Sequence, residues 1–464
     1  MPLGACDPGV FDKLQDNTPI VDLPRPDEFQ FNAYGSHLYA YRGVFQSQSV
    51  SRLAMNSGQG TGIRVNKAWD GTGFSLTKQA LELCAGALDC DSNQGTSFAY
   101  LPRWQNDTMC FAAFGPELPG TRAEANILIE CESNLVETMV ITGPAEIGFG
   151  LSAASLPETV HDLGMALAGA PFANSNDGQL LVIPDAEAAL PVTVLPAESY
   201  ETLAGKLGSS VAAAEFGDGQ AIVAATLPEI NRIIVGVMDK NDSTLSVRAC
   251  IDGNIDWTPQ EVKLANINAE SGSGTAQTDL IVRVDSDGNG VSDRIEVYDG
   301  SGLPDAEGCN PWLTETTLVE CADAKNEDIV CASARFAAAL DTGDINGDGF
   351  DDLVVGAPGS IIDGQLDAGS VIVFPAIVRA TNGSLAFGEA VTVSHPSPGT
   401  GDLLGSAVAA LPSGNADYAR AEIVGGAPGA NGGVGQVSVF LCSGLLADQS
   451  GSAGLDARCA PKAP

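Results

Sequence analysis

The segment Asp344-Ile-Asn-Gly-Asp-Gly-Phe-Asp-Asp352, which runs straight into Leu-Val-Val-Gly-Ala-Pro358, constrains this chain more than any other stretch. Oxygen-bearing side chains fall at its first, third, fifth and ninth places: Asp344, Asn346, Asp348 and Asp352. Gly349 stands sixth, where a tight loop needs positive φ. A hard cation such as Ca²⁺ takes about six to eight oxygens, and alternate residues of a turning loop point inward to supply them. The backbone carbonyl of Phe350, in seventh place, offers one more oxygen. Leu353-Val354-Val355 then reads as a strand leading into Gly356-Ala357-Pro358.

The unit repeats. Gly-Ala-Pro recurs at Gly169–Pro171 and Gly426–Pro428. Small-residue strands precede the three copies, at Phe149–Ser155, Phe336–Leu340 and Leu404–Leu411. Gly-led strands follow them, at Gly178–Ile183, Gly369–Phe374 and Gly435–Phe440. A fourth copy runs from Leu207–Ala213 to Ile233–Val237 and Leu245–Arg248. A fifth carries a second oxygen-rich loop before Arg294–Tyr298. Two weaker copies are Cys110–Pro116 with Ala125–Ile129, and Arg52–Gly58 with Gly62–Val65. Equivalent points fall near 54, 113, 169, 236, 296, 356 and 426. Steps of about 60 residues suit four strands plus loops per propeller blade.

This loop-then-strand unit resembles the FG-GAP repeat of integrin α-subunit β-propellers, over roughly Phe149 to Cys442. The resemblance implies an all-β fold, a seven-bladed β-propeller with FG-GAP-type calcium loops. It also implies cation loops that brace the blades and partners bound across a propeller face. Abundant Gly (54) and Pro (26), with short apolar runs bounded by turn residues, agree with an all-β chain. Ser75–Leu83 alone reads as a short helix, placed as an insertion near the second blade.

The second loop, Asp285-Ser-Asp-Gly-Asn-Gly-Val-Ser-Asp293, offers Asp285, Asp287, Asn289 and Asp293. Gly290 is sixth, and the Val291 carbonyl seventh. Glu296 falls twelfth, as in an EF-hand, but that motif needs flanking helices. Leu280–Val284 and Ile295–Tyr298 alternate like strands, which puts Ile295 and Val297 inward and Glu296 outward. Asp293 is therefore taken as the last ligand of a propeller loop. Asp252–Asp256 has Trp257 where the sixth-place Gly belongs and reads as an ordinary turn. Asn174–Gly178 reads as a hairpin turn.

With 59 acidic and 22 basic residues the net charge is −37, which argues against nucleic-acid binding and against direct docking on anionic lipid. No apolar stretch reaches the roughly 18 residues of a membrane helix. Eleven cysteines without a CxxC point to an oxidising compartment. Leu3-Gly-Ala-Cys6 resembles the lipobox of bacterial lipoproteins, in which the Cys becomes the lipidated N-terminus. Met1–Ala5 holds neither the basic region nor the apolar core of such a leader, and an ordinary terminal cysteine is the competing reading. Setting Cys6 aside leaves ten cysteines for disulfides. Cys84–Cys90 closes a short loop, Cys110–Cys131 links neighbouring strands, and Cys442–Cys459 pins the tail. Cys250, Cys309, Cys321 and Cys331 pair in one of three ways.

Residues 1–27 then form an anchor and tether, with Asp7 to Asp27 an extended Pro-bearing linker. The propeller takes 28–445 and the tail 446–464. A strand that closes the ring is the competing reading of the linker, and Asn32–Tyr41 is a second candidate for that role. His37, His161 and His395 lie far apart, and neither a nucleophile elbow nor a phosphate loop is present. The chain is read as a non-enzymatic, surface-anchored extracytoplasmic propeller, an outer membrane lipoprotein, stabilised by Ca²⁺. Its partner is a protein or surface glycan, and it meets the membrane only through its lipid. The alternative is a secreted hydrolase or lyase acting on polysaccharide or lipid.

Overall fold

The computed structural model describes residues 20–24, 34–45, 48–56, 61–69, 74–82, 97–101, 110–115, 124–131, 136–142, 148–157, 160, 166–183, 193–195, 205–217, 219–239, 245–267, 278–324, 334–347, 349–377, 385–388, 390–412 and 420–440. The chain is all-β, and its described residues form seven four-stranded antiparallel sheets and one small two-stranded ribbon. Sheet 1 holds Leu38–Phe45, Gln48–Asn56, Thr61–Trp69 and Phe74–Glu82. Sheet 2 holds Ser97–Leu101, Cys110–Gly115, Glu124–Cys131 and Val136–Thr142. Sheet 3 holds Ala153–Ser155, Ala166–Ala170, Gln179–Ile183 and Thr193–Leu195. Sheet 4 holds Val211–Gly217, Gln220–Leu227, Arg232–Asp239 and Leu245–Asp252. Sheet 5 holds Thr258–Ala265, Asp279–Asp285, Arg294–Tyr298 and Thr316–Glu320. Sheet 6 holds Ala339–Gly343, Asp352–Ala357, Ser370–Phe374 and Val391–Val393. Sheet 7 takes Ala407–Leu411, Glu422–Ala427 and Gln436–Phe440 from one end of the chain and Ile20–Pro24 from the other.

The first strands of successive sheets adjoin one another, and that of sheet 7 adjoins that of sheet 1, so the inner strands form a closed ring. This arrangement is consistent with a β-propeller. Each seam between neighbouring sheets has its own hydrophobic cluster. Sheets are thus packed on both faces, which is why Asp352–Ala357 is buried at every position rather than at alternate ones.

The Gly-Ala-Pro glycines have a steric reason. A Cβ on Gly169, Gly356 or Gly426 would lie 1.9, 2.0 or 1.9 Å from the carbonyl oxygen of Gly208, Gly405 or Gly35 in the next sheet. Only a residue without Cβ lets the next sheet's backbone sit that close. In sheet 5 the equivalent fifth residue of the second strand is Arg283. Its guanidinium instead donates to the carbonyls of Ala337, at 3.2 Å, and Ala338.

Four expectations change. Ser75–Leu83 is not a helix: Phe74–Glu82 is a strand paired with Thr61–Trp69, so sheet pairing overrides local helix propensity. Ile20–Pro24, inside the segment read as a tether, pairs with Gln436–Phe440, so it adds the closing strand; residues 1–19 lie outside the described residues. The other candidate, Asn32–Tyr41, instead enters the first strand of sheet 1 from Leu38 onward. In the fourth and fifth copies the marked strands, Ile233–Val237 and Arg294–Tyr298, are the third strands of their sheets rather than the second. Glu296 is buried, not outward, because both faces of sheet 5 are covered. It accepts from Trp257 Nε1 at 3.0 Å, Tyr298 Oη at 2.7 Å and Arg294 Nη2 at 2.6 Å.

Candidate metal centres

The two oxygen-rich loops stand at opposite ends of the sheets. Asp344–Asp352 joins the first and second strands of sheet 6. Asp285–Asp293 joins the second and third strands of sheet 5. In antiparallel sheets those connections fall at opposite ends.

In the sheet 5 loop, Asp285 ends a strand and is buried. Its Oδ1 accepts from the N–H groups of Asp287, Gly288 and Asn289 at 3.3, 2.9 and 3.2 Å, and its Oδ2 from Gly290 at 2.6 Å. Gly290 has φ +85°. Asp287 accepts from Asn289 N–H at 3.2 Å, and Asn289 Oδ1 from Val291 N–H at 2.7 Å. Asp293 accepts from the N–H and hydroxyl of Ser286 at 2.9 and 2.7 Å. Val291 is exposed at the loop tip.

In the sheet 6 loop the anchor lies at the other end. Asp352 is fully buried at the start of its strand. Its Oδ2 accepts from Ile345 and Asn346 N–H at 2.9 and 3.2 Å, and its Oδ1 from Ala376 N–H at 2.8 Å. Asp344 accepts from Gly347 and Gly349 N–H at 2.6 and 2.9 Å, and Gly349 has φ +91°. Asn346 is buried and Phe350 packs against the core between sheets 5 and 6. Asp348 lies outside the described residues.

Sequence reasoning missed the role of Asp352 as a clamp, and a second residue shares it. Asp279, also fully buried, starts the second strand of sheet 5. It accepts from Ile267 N–H at 2.9 Å and Gly300 N–H at 2.8 Å. Like Asp352, it ties the connection after the first strand to the one after the third. A carboxylate opening an apolar strand, as in Asp279-Leu-Ile-Val and Asp352-Leu-Val-Val, is the signal that marks both.

The donor set fits a hard cation: each loop offers oxygens alone, with a positive-φ glycine in sixth place. Among the described residues, no group of three or more His, Cys, Asp or Glu side chains is gathered as a metal cluster. Asp285, Asp287 and Asp293, all described, are thus not drawn around one point, and Asp348 of the other set lies outside the described residues.

Two disulfides join pairs of described cysteines. Cys110–Cys131 joins directly opposed residues of neighbouring strands, as the sequence suggested. Cys250–Cys309 ties the outer strand of sheet 4 to the long connection in sheet 5. Cys321, of the same quartet, is also disulfide-bonded. Cys6, Cys84, Cys90, Cys331, Cys442 and Cys459 lie outside the described residues.

Inner strands bring a second polar group together. Lys263 Nζ lies 3.2 Å from Asp341 Oδ1 and 3.5 Å from Glu261 Oε1. Burial opposes the charge on Lys263, but the two carboxylates outweigh it and raise its pKa. Tyr39 Oη lies 2.7 Å from Ser155 Oγ. The turns read at Asp252–Asp256 and Asn174–Gly178 are both connections between strands.

Comparison with known proteins finds the FG-GAP repeat over residues 336–374, which span the Asp344–Asp352 loop and the second and third strands of sheet 6. No curated protein matches the chain.

Proposed function

We propose that this protein is a seven-bladed β-propeller, braced by Ca²⁺ in both oxygen-rich loops, that binds another macromolecule across one face. The observation that carries the reading is the FG-GAP repeat at 336–374 within a closed ring of four-stranded sheets. Asp285, Asp287, Asn289, Asp293 and the Val291 carbonyl would hold one ion. Asp344, Asn346, Asp348, Asp352 and the Phe350 carbonyl would hold the other. Bound Ca²⁺ would supply positive charge that draws facing oxygens together. The chain's own part is to pre-form each turn, through Asp285 in one loop and Asp352 in the other. The partner is a protein or a surface glycan, met in adhesion or in assembly of an envelope complex.

The disulfides are compatible with an extracytoplasmic protein. We place it at the cell surface or outer membrane, held by lipid on Cys6. Cys6→Ser is then expected to release it from the membrane fraction with its fold intact. Pull-down from native envelope, with calcium and with chelator, tests the binding role. Specific, calcium-dependent capture of one partner supports it, and none under either condition overturns it. A hydrolase or lyase is the second reading, favoured by Asp341 and Glu261 on inner strands. Both carboxylates are engaged with Lys263, and Glu261 also with Arg283 at 3.2 Å.

A further inference from the structure

Arg420 lies against the oxygen-rich loop of the neighbouring sheet. It stands in the connection between Ala407–Leu411 and Glu422–Ala427 of sheet 7, at the same end as Asp344–Asp352. The next residue, Ala421, donates its N–H to the Asp344 carbonyl at 2.6 Å. A Cβ on Gly347 would come within 2.7 Å of both Cγ and Nε of Arg420, so the side chain packs on the fourth residue of the loop. Its Nη1 is buried without a hydrogen-bond partner, and no carboxylate pairs with Arg420 among the described residues.

Among the described residues, Asp285–Asp293 has no such neighbour. A Cβ on Gly288, its fourth residue, would meet nothing within 4 Å. The arginine at its end, Arg294, is engaged with Glu296 at 2.6 Å.

We propose that Arg420 sets the calcium affinity of the Asp344–Asp352 loop, holding it below that of Asp285–Asp293. This rests on the calcium reading above. A guanidinium does not lose its proton in a protein, so the charge is permanent. Packed on Gly347, it would repel a divalent ion held in this loop. At an effective dielectric approaching that of water this lowers affinity by roughly tenfold. The same charge offsets the loop carboxylates when no metal is bound, so the turn holds its shape without one. A site weakened in this way suits calcium at extracellular concentration, where affinities of about 10⁻⁴–10⁻³ M suffice.

The test uses the full chain and CaCl₂ titrated by calorimetry. Asp344→Ala identifies which of two binding classes belongs to sheet 6. Arg420→Met removes the charge and keeps the length; Arg420→Lys keeps the charge. Arg420→Met is expected to tighten the sheet 6 class about tenfold at low salt and less at high salt, because salt screens the repulsion. Arg420→Lys is expected to stay near the parent value. Should Arg420→Met fail to fold, Arg420→Gln serves in its place. Unchanged or weaker sheet 6 binding in the neutral variant overturns the role of Arg420 while leaving the calcium reading standing. No calcium binding by the parent chain overturns both.

Discussion

The two oxygen-rich loops share one spacing and are built from opposite ends. In Asp285–Asp293 the first residue is the buried anchor, and its carboxylate gathers four N–H groups of its own turn. In Asp344–Asp352 the last residue is the anchor. It reaches two N–H groups of the turn and one, Ala376, beyond the next strand. The first loop is a self-contained turn, while the second is stitched into its sheet and covered by Arg420. The spacing of oxygens in sequence therefore marks each loop, but not which residue holds it up.

The sharpest way to break this comparison is to remove each anchor in calcium-free buffer. Asp352→Ala strands three N–H groups at a fully buried site, and leaving buried donors unmet costs about 3–5 kcal/mol in total. Asp285→Ala strands four N–H groups in an exposed turn, where water replaces much of the loss, and is expected to cost about 2 kcal/mol. Asp344→Ala and Asp293→Ala, at the weaker ends, should cost about 1 kcal/mol each. Urea midpoints with chelator present give the ranking. Asp344→Ala as damaging as Asp352→Ala would sink the assignment of anchors.

Much of this was legible in the sequence. The seven repeat points fall one in each of the seven sheets, and the Gly-Ala-Pro markers sit on second strands in sheets 3, 6 and 7. They are legible because a backbone contact excludes every side chain there. The frame slipped by one strand in sheets 4 and 5 for the same reason. Arg283 fills the marker position of sheet 5, so no glycine flags it. In sheet 4, Ile233-Ile-Val-Gly-Val237 imitates a marked second strand, while the real one is Gln220–Leu227. Glu296 was illegible because alternation assumes one wet face, and a sheet packed between two others has none. The clamp made by Asp279 and Asp352 depends on contacts to residues far along the chain, which spacing cannot express.

Calcium sharpens the comparison next. If each loop binds only the folded chain, calcium at 100 times the dissociation constant adds about 2.7 kcal/mol per site. Chelation should therefore lower the melting temperature, and Asp287→Ala should remove the part due to sheet 5 alone. The pre-formed sheet 6 turn should keep its hydrogen-exchange protection in chelator, while the sheet 5 turn loses more of its own. A melting curve indifferent to calcium in the parent chain would count against metal in either loop.

The smallest expected effect separates the loops at their fourth residues. Gly288 and Gly347 have similar backbone, with φ +72° and +80°. Alanine at either pays the strain of a left-handed L-residue, about 1 kcal/mol. At Gly288 that is the whole cost, since the new Cβ meets nothing within 4 Å. At Gly347 the Cβ would lie 2.7 Å from Arg420 Cγ and Nε, so the arginine must move. Its side chain is flexible, and the added loss should stay below about 1 kcal/mol. The informative reading is calcium affinity rather than stability. Displacing the guanidinium from the loop should tighten sheet 6 binding in Gly347→Ala, in the same direction as Arg420→Met. Gly288→Ala should leave the sheet 6 class unchanged. If both alanine variants shift that class alike, backbone strain rather than the charge of Arg420 sets the difference between the loops.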